Sequence, residues 1–70
     1  MNKEDFTIKG DFIELVKLIK VVGLTGTGGE AKMLIENGEV LVNDEVELRK
    51  RRKLKTGDKV VIADLTVNLL

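Results

Sequence analysis

Seventy residues suffice for one small domain, and the chain contains no cysteine, histidine, serine, tyrosine or tryptophan. Disulfides, thiolate nucleophiles, zinc-finger ligand sets and imidazole acid–base chemistry are thereby excluded. Twelve basic residues balance twelve acidic ones, yet six of the cations stand in the seven positions 49–55, so that the other 63 residues carry six cations against twelve anions. A scaffold of net negative charge bearing one concentrated positive segment favours phosphates or another polyanion. No run nears the roughly 18 apolar residues of a membrane span, and the polar start Met1-Asn2-Lys3-Glu4-Asp5 is unlike a signal peptide, so a soluble intracellular protein is expected.

In chain order, Phe6-Thr7-Ile8 alternates apolar and polar before Gly10, which predicts a short strand. Asp11 and Glu14 have the spacing of a capping box. Behind them Leu15, Leu18, Ile19 and Val22 fall on one helical stripe that Phe12 and Val16 widen, predicting a helix over about 12–22 that Gly23 ends. A glycine-rich connector, residues 23–29, follows. Thr27 and Glu30 repeat the capping-box spacing, so a second helix is expected from near Gly28, with Ala31, Leu34 and Ile35 as its apolar face and Asn37-Gly38 as its close. Val40-Leu41-Val42 and Val46-Glu47-Leu48 flank Asn43-Asp44-Glu45 as a hairpin. Thr56-Gly57-Asp58 predicts another turn, and Val60-Val61-Ile62-Ala63 and Thr66-Val67-Asn68-Leu69 two strands around a turn at Asp64-Leu65. Two helical stripes need a second layer, which gives an α+β fold with two packed helices against a small, mostly antiparallel sheet.

The segment Gly26-Thr27-Gly28-Gly29-Glu30-Ala31 formally fits a dinucleotide fingerprint, but a helix rather than a strand precedes it and the chain is too short for the βαβ frame. The phosphate-loop pattern fails because Gly29 stands where its lysine is required. A tight helix–helix turn is the plainer reading, and exposed amides at a helix start with Lys32 one turn on are suited to a single phosphate. Charge runs are usually solvated surface. The run Arg49-Lys50-Arg51-Arg52-Lys53-Leu54-Lys55 differs in lying between strand signals, and half of its cations are arginines, whose planar fork suits phosphate and base edges. The aromatics are Phe6 and Phe12, both on apolar-face positions and expected in the core, which argues against base-stacking platforms and leaves backbone and shape recognition.

Taken together, Gly29 to Asn43, which contains the second helix, its terminating glycine and the Val40-Leu41-Val42-Asn43 strand, and the later Gly57-Asp58 with Val60-Val61-Ile62 resemble the S-four RNA-binding domain. That family is named after ribosomal small-subunit protein four and is also called the alpha-L motif. The likeness spans about 11–62 within a single domain over 1–70, and it is to the small stand-alone bacterial proteins of the YaaA/YbcJ-like group. The resemblance implies a cytoplasmic module associated with the ribosome or another structured RNA, with the second helix and the strand loops facing RNA. It places Lys32 on a basic helix position, Asn43 on the hairpin asparagine, and Lys53 and Lys55 on the basic positions before Gly57. Where many members open the second helix with a Ser-Arg or Thr-Arg pair, Thr27 is here followed by Gly28 and Gly29, and Asp44 replaces the usual hairpin glycine.

The expectation is therefore a monomeric, non-catalytic RNA-binding protein without cofactor, metal or small-molecule substrate, recognising ribosomal or transfer-RNA-like structures. Arg49, Lys50, Arg51, Arg52, Lys53 and Lys55 would neutralise phosphates, Lys20 and Lys32 would extend the surface, and amides from Thr25 through Thr27, Gly28 and Gly29 would hold one backbone group. Reversing Arg51 and Arg52 would then remove binding and leave the fold intact, as for exposed loop charges. The alternative is a protein-interaction module docking an acidic partner through the same loop.

Overall fold

The computed structural model describes residues 2–23, 26 and 28–70. Strand β1, Asn2–Phe6, is followed by the two-residue β2, Ile13–Glu14, and by helices α1, Leu15–Val21, and α2, Gly28–Glu36. Then come β3, Val40–Val42, β4, Glu45–Val46, β5, Lys53–Leu54, β6, Lys59–Ile62, and β7, Leu65–Leu69. Five strands form one sheet in the order β1-β7-β6-β3-β4, and β2 pairs with β5 in a separate antiparallel ladder. Within the larger sheet β1 runs parallel to β7 and the remaining pairs are antiparallel.

Alternation along the strands sends Val40, Val42, Val60, Ile62, Val67 and Leu69 to one face. There they form one buried cluster with Leu15, Leu18 and Ile19 of α1, Ala31 and Ile35 of α2, and Leu54 of β5. Each buried Val, Leu or Ile contributes about 1.5–3 kcal/mol, so this cluster carries the stability of an α+β fold.

Gly38 closes α2 as expected. At φ +77° it allows its own N–H to reach Ile35 O (3.1 Å) and the Glu39 N–H to reach Leu34 O (3.1 Å), the two bonds of a Schellman cap. The β3–β4 turn is tighter than expected. It consists of Asn43 and Asp44 alone, at φ +52° and +71°, with Val42 opposite Glu45, the geometry of a type I′ turn that Asn and Asp tolerate. The β6–β7 turn is Ala63-Asp64 rather than Asp64-Leu65, since Ile62 pairs with Leu65.

Three expectations are corrected. The first strand is not Phe6–Ile8 but the polar Asn2–Phe6, which needs no alternation because it lies at the sheet edge and is held by main-chain bonds to β7. The first helix starts at Leu15, not near Phe12, and its N-cap Glu14 makes no side-chain capping bond, so the Asp11–Glu14 box does not form. Ile13 and Glu14 pair instead with Leu54 and Lys53, which takes their backbone out of helix. The third concerns Val46-Glu47-Leu48, where the strand ends at Val46 and its phase is inverted. Val46 (56%) and Leu48 (58%) are exposed while Glu47 (7%) is buried. Val46 lies opposite the outward-facing Leu41, and the Glu47 N–H bonds Val40 O at 3.0 Å, which puts Glu47 on the core side. The second capping box involves Thr27, outside the described residues.

Candidate functional site

Two anchors shape the cationic segment. The first is made of main chain. The opening N–H groups of α1 have no intrahelical acceptors, and Leu15 N–H donates to Arg52 O (2.9 Å) and Val16 N–H to Lys50 O (3.0 Å). The segment thus supplies the cap that the Asp11–Glu14 pair does not. Fully buried Leu54, paired with Ile13, pins the segment from the other side.

The second anchor is Glu47. Its Oε2 accepts from the Arg49 main-chain N–H (3.1 Å) and from Arg49 Nε (3.0 Å), while Oε1 accepts from Arg49 Nη2 (3.1 Å) and Arg52 Nη1 (2.6 Å). The Arg49 guanidinium bonds, helped by the Arg49 amide and by Arg52, hold the Glu47 carboxyl at about 2 against a burial effect that pushes it up. Arg49 and Arg52 thus share one carboxylate, which offsets one of their two charges and orients both guanidinium groups, a constraint absent from the sequence expectation. Between them the chain turns, Arg52 N–H reaching Arg49 O at 3.2 Å, and Lys50 and Arg51 form the exposed tip. Neither tip residue has an ion-pair partner among the described residues.

The tip faces the helices. Lys20, Gly28, Gly29, Lys32, Lys50 and Arg51 line one open cleft of about 400 Å³, drawing on α1, the start of α2 and the cationic segment. The Lys20 side chain passes so near the start of α2 that its Cδ would lie 3.7 Å from a Cβ built on Gly28. Lys17 joins this cleft, as does one carboxylate, Glu14. Lys17 is absent from the expected surface, although its i, i+3 spacing to Lys20 puts the two on one helix face. A broader cleft of about 1000 Å³ adjoins it, where Arg49, Arg52, Lys53 and Lys55 meet Glu36 and Asp58. Lys32, Lys50 and Arg51 line both clefts, and Lys32 makes a loose 3.9 Å pair with Glu36.

Asn43 lines neither cleft. Its amide nitrogen donates to Asp58 Oδ1 (3.0 Å) and its oxygen accepts from Lys59 N–H (3.0 Å), so it ties the β3–β4 hairpin to the turn before β6. In that turn Asp58 Oδ2 also accepts from the Lys55 N–H (2.8 Å), and Gly57, at φ +99°, directs its N–H to Leu69 O (2.8 Å). Burial raises the Asp58 carboxyl, but the bonds from Lys55 and Asn43 and the charges of Arg52 and Lys55 outweigh it and lower it below the ordinary value. Thr25 and Thr27 lie outside the described residues. Phe12, expected in the core, is 41% exposed, whereas Phe6 packs against the core as expected. Among the described residues no helix is long and apolar enough to cross a membrane.

The family model described as "S4 domain" matches residues 6–69. A protein of Escherichia coli (strain K12), named "Putative RNA-binding protein YbcJ", is 37% identical over 62 residues, covering 89% of each chain. A protein of Bacillus subtilis (strain 168), named "Probable ribosome maturation protein RlbA", is 41% identical over 56 residues, 80% of this chain and 79% of that one. With the family match covering nearly all of the sequence, the chain belongs to the S4 domain family.

Proposed function

We propose that this protein binds structured RNA through the face on which α1, the start of α2 and the tip of the cationic segment meet, and that binding rather than catalysis is its activity. The observation carrying this reading is the convergence of Lys20, Lys32, Lys50 and Arg51, from three separate stretches of chain, on one cleft without bound carboxylates at the tip. Four cations at that density suit adjacent phosphates, and arginine adds a planar fork for bidentate contact. The names of the two relatives, one RNA-binding and one concerned with ribosome maturation, support RNA as the partner and a ribosomal RNA or its precursor as the target. In this reading the alpha-L arrangement of the two helices presents the site, and the chain acts as a single-domain monomer in the cytoplasm.

The test is a binding titration against a ribosomal RNA hairpin, an unstructured RNA strand and a DNA duplex across a salt series. About five neutralised phosphates give a slope of log K against log salt of roughly −3.5 to −4.5, with the hairpin bound tightest. Salt-independent binding, or preference for duplex DNA, overturns the reading. So does recovery of an acidic protein partner that survives nuclease treatment while the hairpin fails to bind. The variant carrying Lys50→Glu and Arg51→Glu is expected to lose hairpin binding with its fold retained.

A further inference from the structure

Phe12 immediately precedes β2, at the edge of the cationic segment. It escapes burial because α1 begins three residues later, at Leu15, and the neighbouring Ile13 turns inward to pair with Leu54. The residue is 41% exposed. The same ladder sets Lys53 beside it, with Nζ 4.9 Å from the ring centroid, within cation–π range. Lys53 in turn lines the broad cleft together with Lys32 and Arg51. A part-exposed aromatic ring is thus joined, through the lysine that lies over it, to the cationic surface.

We propose that Phe12 is a stacking site for an unpaired nucleobase, one belonging to the same RNA strand whose phosphates the cationic face holds; this rests on the RNA reading above. Every base offers a π-face, so a single exposed ring serves without sequence selection, and a flanking ammonium answers the phosphate next to the stacked base. The RNA class this implies is a helix ending in, or interrupted by, unpaired nucleotides, rather than a continuous duplex. Placing Phe12 in the core had argued against stacking, and its exposed position removes that objection.

Two RNA probes separate the proposal from the reading beneath it: a blunt hairpin, and the same hairpin carrying a short unpaired tail. Phe12→Leu is expected to weaken binding of the tailed hairpin about tenfold and to leave the blunt one unchanged. Phe12→Trp is expected to keep tight binding of the tailed hairpin. It also introduces an indole into a chain that has no other tryptophan, and the tailed probe should quench its fluorescence while the blunt probe does not. Equal losses on both probes with Phe12→Leu, no loss on either, or an unquenched indole in the bound Phe12→Trp complex each overturn the stacking site while RNA binding stands. Failure of the parent protein to bind either probe overturns both readings together.

Discussion

Within the seven residues that carry half of the protein's positive charge, two regions behave in opposite ways. Arg49 and Arg52 are tied to buried Glu47, although the Arg49 head stays 73% exposed, whereas Lys50 and Arg51 stand between them on a turn without an ion-pair partner among the described residues and face the helices. Charge density alone does not distinguish them. What separates them is the inverted phase of one strand, which delivers a carboxylate to the core side where two guanidinium groups satisfy it. A cationic run can thus be part scaffold and part open surface.

The largest blow to this division is expected from Leu54→Ala, which removes the apolar pin beneath the segment. Truncating a fully buried leucine costs about 3 kcal/mol, and a chain of this size has only about 3–5 kcal/mol to lose. Chemical denaturation should show most of the cooperative transition gone. A population that melts like the parent would mean that the segment is not held from below.

Acid comes next. The Glu47 carboxyl sits at about 2 in the folded chain against 4.5 ordinarily. Its stabilising contribution is therefore complete above about pH 4.5 and is lost as pH falls toward 2, and the lowered Asp58 carboxyl acts with the same sign. The contribution of Glu47 is on the order of 2–3 kcal/mol once solvent screening around the exposed Arg49 head is allowed for. Unfolding free energies measured down this range should drop, and Glu47→Gln should flatten most of the drop. An unchanged acid profile in that variant would remove Glu47 as the anchor.

A matched pair of charge reversals makes the sharpest comparison. Arg52→Glu sets a second carboxylate against Glu47 in place of a 2.6 Å bond, at a cost of about 2 kcal/mol. Arg51→Glu, one residue away, should change stability by less than about 0.5 kcal/mol. Equal melting shifts for the two would erase the distinction between anchor and tip. Because Arg52 pairs with Glu47, the expectation that reversing Arg51 and Arg52 together spares the fold is narrowed to Arg51, and this pair of variants tests it.

The helical stripe at Leu15, Leu18 and Ile19 was readable because its period is local, as was the close of α2 at Gly38, where a positive φ favours glycine. What escaped depends on distant partners. The polar strand Asn2–Phe6 exists because β7, more than sixty residues along the chain, offers it a ladder, with Phe6 beside Leu69. The two-residue strands Ile13–Glu14 and Lys53–Leu54 define each other, and neither has a signal of its own. At the site, the clustering of cations was legible from charge density, and Lys20 and Lys32 do meet the tip. The internal pairing was not, because alternation in Val46-Glu47-Leu48 argues for the opposite facing. The close spacing of Glu47 and Arg49 was the available hint.

Helix α1 spans only seven residues, too few to hold together as an isolated helix, and its first amides lean on carbonyl oxygens of Lys50 and Arg52. Fraying of that helical turn and movement of the tip are consequently one event. An occupant that steadies the tip should slow amide hydrogen exchange at Leu15, which is wholly buried, as well as at Val16 on the cleft wall, so that the helix start becomes a built-in gauge of occupancy.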